Sequence, residues 1–299
     1  MNPPALAFIG FGEAGQALAA GFRAEGVTAI AAWDILFPDG PGGARLRAAA
    51  ERIGVRVGRD SADAVRGADV VFSAVTAASN LEAARQAAPG LSAGQFYVEL
   101  NSVSPNRKRE AGAIVGSRAR FVGMAVMAPV HPLRHKTPVL ISGPSAADLL
   151  PLLKRCGMDV EEVGTDVGAA AAIKMVRSVM VKGLAALTQE CFIAARRAGV
   201  EERVVASLTQ SYPMIDWAKL ADYNLERMAT HGLRRAAEMR DVCETLESLG
   251  VEPALTRGTV AREQRTGEAR LKDRFGGKVP EDRGAILDAL IGQGKGALV

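Results

Sequence analysis

The chain is poor in the residues that build metal centres and disulfide frameworks. Its 299 residues include three cysteines, Cys156, Cys191 and Cys243, far apart and without a C-x-x-C, and only three histidines. That scarcity argues against a zinc site and points to a reduced, cytoplasmic compartment. Aromatic residues make up 5% of the chain, so the core must rest on close packing of small and branched side chains. No apolar run reaches the ~18–20 residues of a membrane span. The Ala-rich run from Gly168 is broken by Lys174 and Arg177. An apolar strand starts within five residues of the N-terminus, so no signal peptide is expected. An excess of one charge is missing too. Residues 1–163 carry 17 basic and 15 acidic side chains and residues 164–299 carry 20 and 18, so each half is +2. Neither half offers the lopsided basic surface of a nucleic-acid binder.

What is present is most concentrated between residues 5 and 34. An apolar strand, Ala5 to Ile9, runs into Gly10-Phe11-Gly12-Glu13-Ala14-Gly15, a G-x-G-x-x-G. Gly10 permits a tight turn, Gly12 has no side chain to block a pyrophosphate, and Gly15 lets the next helix lie close on the strand. The amides at the start of that helix, expected over residues 13–25, would face the phosphates. A second apolar run, Val27 to Trp33, ends on Asp34, 19 residues after Gly15. A carboxylate there accepts hydrogen bonds from ribose hydroxyls and repels a 2′-phosphate, which favours NAD over NADP. Arg45 and Arg47, at the start of the next helix, pull the other way. Strand, turn, helix, strand and acid in this order point to dinucleotide binding.

The first half alternates short apolar runs with helical patterns. Strands are expected at 5–9, 28–33, 55–57, 69–74, 96–99, 120–126, 139–141 and 159–163. Helices are expected between them at 43–52, 61–66, 80–88, 106–115 and 146–156. Residues 38–43 read as a loop. This alternation predicts an α/β Rossmann-type domain, a mostly parallel doubly wound sheet, over residues 1–163. From Gly164 the strand pattern stops, and an all-α domain is expected over 164–299. It opens with a long helix over 168–198 and continues at 201–210, 213–228, 233–249, 253–264 and 282–291. Gly199, Gly232, Gly250 and Gly267 read as caps and turns between these helices, and the tail from Gly292 as frayed.

Ligands of an open α/β sheet bind beyond the carboxyl ends of its strands. The loops there carry Val75 and Thr76, then Asn101, Ser102 and Ser104, then Ala128-Pro129-Val130-His131-Pro132. Ser104 before Pro105 fits a helix N-cap, whereas Ser102 is open to either a site or a cap. Lys174 lies in the first turns of the long helix, at the expected domain junction, on a face of mostly small and apolar residues. In a partly buried cleft such a lysine is a general acid or base; on a solvated face it is only a charge. Ser178 is one turn further along the same face. His231, Arg235 and Glu238 read either as entering the cleft from the second domain or as a charged helix face.

Taken together, Gly10 to Gly15, Asn101-Ser102-Val103-Ser104-Pro105, Ala128-Pro129-Val130-His131, and Gly168 followed by Lys174 and Ser178 resemble the β-hydroxyacid dehydrogenase family. That family includes 3-hydroxyisobutyrate dehydrogenase and 6-phosphogluconate dehydrogenase. The resemblance covers nearly the whole chain. The runs Lys174 to Gly183 and Arg234 to Asp241 look like a branch with a distinctive C-terminal helical domain. The resemblance implies an NAD(P)-dependent dehydrogenase acting on a small hydroxy acid or other alcohol, with Lys174 as the catalytic acid–base group. Ser102, Ser178 and His131 would contact substrate. Gly10, Phe11, Gly12, Glu13, Ala14, Gly15, Asp34, Val75, Thr76 and Asn101 would hold the cofactor. A homodimer built on the long helix is expected as well. Two departures stand out. Where the family has Ser-Gly-Gly after Ala-Pro-Val, this chain has His131-Pro132-Leu133, and Pro132 has no amide to donate. Where the family has Asn four residues after the lysine, it has Ser178. Imine reductases resemble the family but generally lack the lysine, and non-catalytic scaffold relatives lose it; both alternatives stand against its presence here.

Overall fold

Eight strands pair into one sheet in a computed structural model that describes residues 3–38 and 40–293. The first half runs β1 (Leu6–Ile9), α1 (Glu13–Ala24), β2 (Ile30–Trp33), α2 (Gly40–Ile53), β3 (Arg56–Val57), α3 (Ser61–Val65), β4 (Val70–Ser73), α4 (Asn80–Ala87), β5 (Phe96–Glu99), α5 (Pro105–Val115), β6 (Arg120–Val126), β7 (Val139–Ser142), α6 (Ala146–Arg155) and β8 (Val160–Glu162). The strand order is β3-β2-β1-β4-β5-β6-β7-β8. All pairings are parallel except β6 with β7, which is antiparallel. The order reverses between β1 and β4, which creates the crevice where doubly wound sheets take their ligands.

Alternate residues of the central strands feed two separate cores. Phe8 of β1 and Phe72 of β4 stack at 5.3 Å, and Phe22 of α1 stacks on Phe72 at 5.5 Å. On the other face Ala7, Val71, Tyr97 and Phe121 pack under α3, α4 and α5. Burial on both faces is why these strands read as unbroken apolar runs.

The helical half comprises α7 (Ala169–Ala198), α8 (Glu201–Ser211), α9 (Trp217–Ser248), α10 (Ala254–Glu268), α11 (Leu271–Arg274) and α12 (Arg283–Gln293). One of its cores gathers Phe192, Leu225, Leu271, Ile286 and Leu287, and a second gathers Met175, Met239, Val242 and Leu246. Among the described residues, no helix is long and apolar enough to cross a membrane.

The chain divides into two compact units, residues 1–174 and 175–299. The start of α7 is tied to the sheet: the Ala170 amide donates to Ser142 Oγ, which itself donates to the Val167 carbonyl. Several expectations need correction. Residues 38–43 are not all loop, because α2 begins at Gly40; Asp39 lies outside the described residues. The helices expected at 213–228 and 233–249 are one, α9, which passes straight through Gly232. Gly232 and Gly267 are not breaks but the point where α9 and α10 touch. A Cβ on Gly232 would lie 2.6 Å from the Glu263 carbonyl oxygen and 2.7 Å from the Gly267 nitrogen. Gly199 (φ +68°) and Gly250 (φ +74°) do end helices in the left-handed region. The tail expected to fray from Gly292 lies beyond the described residues from 294 onward.

Candidate active site

The glycine turn sits at the strand-order reversal, and its three glycines differ in what they touch. Gly10 has φ +91°, and a Cβ there would overlap the Ala74 carbonyl at the end of β4. A Cβ on Gly15 would lie 2.5 Å from the Gly10 carbonyl oxygen, so α1 leans directly on the turn. A Cβ on Gly12 would meet nothing within 4 Å. Gly12 is the N-cap of α1 and supplies no side-chain cap, so the first amides of the helix keep their hydrogen-bonding capacity toward the open side. Glu13 and Gly12 are exposed and Ala14 is half-buried. The Phe11 ring is fully buried and packs 6.0 Å from Phe37, so only its backbone belongs to the turn.

Asp34, at the end of β2, is fastened to this turn. Its Oδ2 accepts from the Phe11 amide at 2.7 Å and its Oδ1 from the Leu36 amide at 3.0 Å. Each carboxylate oxygen can accept more than one hydrogen bond, so both keep capacity for ribose hydroxyls. Val75 and Thr76 follow β4, with Thr76 Oγ1 2.9 Å from Ser79 Oγ.

The structure joins Lys174 to Ser102. Lys174 Nζ donates to Ser102 Oγ at 2.6 Å across 72 residues of sequence, and both side chains are half-buried. The hydroxyl that caps α5 is that of Ser104, which accepts from the Arg107 amide at 3.4 Å. Ser102 therefore leaves the cap to Ser104 and faces the lysine. Ser178 lies one turn along α7 and is buried, its hydroxyl accepting from Lys182 Nζ at 3.4 Å. His131 stands exposed on the loop between β6 and β7. That loop is pinned behind it: His135 is buried against Gly21 of α1, its Nε2 donates to Glu25 at 3.3 Å, and Lys136 pairs with Glu25 at 2.8 Å. Burial holds the His135 imidazole below its usual range, more than the Glu25 carboxylate raises it.

Sequence reasoning missed a charged pair at the carboxyl edge of the sheet. Lys108 of α5 and Glu99 of β5 are 1% and 0% exposed, and Lys108 Nζ lies 2.5 Å from Glu99 Oε2. Lys108 also donates to the carbonyl oxygens of Glu99 at 2.7 Å and Met124 at 2.9 Å. The ammonium group thus donates to two strand-end carbonyls and stands in ion-pair contact with the carboxylate, while burial pushes the lysine's pKa down. Glu99 Oε1 accepts from the Asn101 amide at 3.0 Å and from Asn101 Nδ2, which also approaches Ser73 Oγ at 3.4 Å. Locally Lys108 is one of three bases in Arg107-Lys108-Arg109. The only early signal was an acid closing an otherwise apolar strand.

In the helical unit, Arg235 and Glu238 do not merely decorate a charged face. Arg235 is buried and pairs with the fully buried Glu263 of α10 at 2.6 Å, and Glu238 pairs with buried Lys182 at 2.9 Å. The glycine contact between α9 and α10 brings these groups within reach of one another. Burial raises the Glu263 carboxyl above its usual range, against the pull of Arg235. Among the described residues there is no cluster of His, Cys, Asp and Glu able to hold a metal.

Two family models match the chain. One, described as NADP oxidoreductase coenzyme F420-dependent, matches residues 5–102; the other, a domain of unknown function (DUF1932), matches residues 195–266. The chain is similar to a conserved hypothetical protein from Sinorhizobium meliloti 1021, at 37% identity and a TM-score of 0.76, covering 97% of this chain and 96% of that one. It is also similar to the conserved protein MTH1747, of unknown function, whose structure is described as similar to 3-hydroxyacid dehydrogenases. There the identity is 31% and the TM-score 0.71, over 89% of this chain and 98% of that one. The 3-hydroxyisobutyrate dehydrogenase of Mycobacterium tuberculosis, solved with L-serine, shares the fold at 15% identity and a TM-score of 0.72, over 97% and 99%. An imine reductase variant from Myxococcus stipitatus in complex with NAD+ shares it at 19% and 0.57, over 97% and 100%.

Proposed function

The chain belongs to a β-hydroxyacid dehydrogenase-like family with a helical C-terminal domain, and on that premise we propose that it is an NAD(P)-dependent oxidoreductase acting on a small hydroxy acid or other alcohol and its carbonyl. The observation that carries this reading is the 2.6 Å contact between Lys174 Nζ and Ser102 Oγ at the carboxyl edge of a dinucleotide-type sheet. The glycine turn fits the cofactor, because the space beside Gly12 is open and α1 starts there without a side-chain cap. Gly10 to Gly15 would hold the pyrophosphate, Asp34 the adenosine ribose, and Val75, Thr76 and Asn101 the nicotinamide half. The bound dinucleotide supplies or takes up the hydride.

The chain's own residues do the rest. Lys174 gives a proton to the substrate oxygen in reduction and removes it in oxidation. Ser102 accepts a hydrogen bond from Lys174 and can turn its own proton toward the same oxygen, which fixes the substrate between the two. By the family resemblance, Ser178 and His131 would be further substrate contacts. Asp34, already accepting two amides, favours NAD. Lys174 also weighs against imine reduction on this scaffold and against a non-catalytic scaffold role.

Apolar side chains exposed along α7, such as Val176, Met180 and Leu187, support a homodimer. Met180 and Leu187 line a groove of about 630 Å³ between α7 and α10, together with Leu184 and Leu255. A cytoplasmic location accords with the free cysteines.

The test is a titration with NADH and NADPH followed by fluorescence, then turnover of hydroxy acids and aldehydes by wild type and Lys174→Ala. The variant should bind cofactor normally and turn over roughly 10²–10⁴-fold more slowly. Normal turnover in Lys174→Ala removes the lysine from the chemistry. No binding of either nucleotide at millimolar concentration removes the oxidoreductase reading itself.

A further inference from the structure

We propose that the buried Glu99–Lys108 pair is a positioning device that keeps Glu99 ionised and thereby fixes the Asn101–Ser102 turn against Lys174. The proposal rests on the catalytic reading of Lys174 above.

A carboxylate is an acceptor only, whereas a protonated acid or an amide also donates. Glu99 Oε1 takes both the backbone amide and the side-chain Nδ2 of Asn101. In the charged form both bonds are charge-assisted and so stronger than those to a neutral acid or an amide, and the grip dictates which way the Asn101 amide faces. Ser102 follows directly and meets Lys174. An ionised acid with no exposure needs a partner, and Lys108 is that partner, itself held by the ends of β5 and β6 through two carbonyls. The geometry thus links the ends of β4, β5 and β6 to the proton-transfer pair through one turn. Lys108 comes from α5, and Tyr97 lies two residues back on β5, its phenol held above its usual range by burial, with the Glu99 charge adding to the rise. Ser73 from β4 and the Met124 carbonyl from β6 carry no charge.

The experiment is the pH dependence of Lys108→Met. Without its ammonium partner, buried Glu99 takes up a proton and its folded pKa rises above the unfolded value near 4.3. Two opposite slopes follow. Between the unfolded and raised folded values the native state binds the extra proton, so the apoprotein's melting temperature should fall, relative to wild type, as pH rises from about 5 to 8. Over the same range kcat should climb back toward wild type as Glu99 ionises, after a loss of roughly 10–100-fold at the acid end. The affinity for NADH, read by fluorescence, should recover in parallel. A merely structural role predicts a loss with no such pH shape.

The neutral pair Lys108→Met with Glu99→Gln removes the titrating group, and replacing both charges is tolerated far better than removing one. It should melt close to wild type, with a flat profile and a kcat still about 10-fold down. Wild-type pH profiles in Lys108→Met, or wild-type kcat in the double variant, overturn the proposal. Lys174→Ala measured alongside separates the failures. If it is inactive while Lys108→Met behaves as wild type, only the positioning role falls; if it is active, the catalytic reading falls first.

Discussion

Gly12→Ala separates the fold from cofactor binding. Gly12 has φ −72° and ψ −158°, a backbone that any residue adopts, and its added Cβ would meet nothing within 4 Å. Two small terms then compete in stability. Alanine is a poorer N-cap than glycine, by about 0.5–1 kcal/mol. Losing glycine's freedom in the unfolded chain returns about 0.4–1 kcal/mol. The net is within roughly 0.5 kcal/mol, or about 2 °C in melting temperature. Bound phosphate is affected differently, because a methyl group on Gly12 points into the space beside the helix start. Loss of one charge-assisted amide–phosphate hydrogen bond costs about 1.5–3 kcal/mol, which is roughly a 10–100-fold weaker NADH affinity. Thermal melting and an NADH fluorescence titration on the same sample read both numbers. Gly15→Ala serves as the contrast, since its Cβ would press on the Gly10 carbonyl oxygen at 2.5 Å and should lower the melting temperature as well. Unchanged NADH affinity in Gly12→Ala, with the melting temperature also unchanged, would refute phosphate binding at this turn.

Two other expectations concern packing and pH. Gly232→Ala should destabilise by about 1–3 kcal/mol from overpacking, against a helix-propensity gain near 1 kcal/mol, whereas Gly258→Ala on α10, with nothing within 4 Å, should stabilise; a rise in melting temperature for Gly232→Ala would show that the helices do not meet there. Because His135 is held below its usual pKa near 6.5, the unfolded chain binds more protons than the native one between the folded value and 6.5, so this contribution is complete above pH 6.5 and is lost as pH falls through that window. His135→Gln should flatten the melting temperature between pH 5 and 7, and a slope equal to wild type would exclude His135 as its source.

The sheet was legible because its central strands are buried on both faces and appear as short apolar runs, and all eight strands fall within two residues of their expected bounds. The glycine turn was legible because each glycine answers a distinct local need. Lys174 and Ser102 could be named separately, but the contact between them spans 72 residues and is not a property of either neighbourhood. The same limit explains the misreadings. A glycine inside a helical pattern looks alike whether it ends a helix, as at Gly250, or lets a second helix approach, as at Gly232; the two differ in φ and in what a Cβ would strike. Arg235 looks like surface until Glu263 arrives from 28 residues away. Lys108 sits in a basic tripeptide whose outer members have other tasks, Arg107 on the Ala77 carbonyl and Arg109 on Asp166. Helix phase alone turns the middle residue toward the sheet. There two strand-end carbonyls and a buried carboxylate select an ammonium group, and a solvated helix face becomes the support of a candidate catalytic turn.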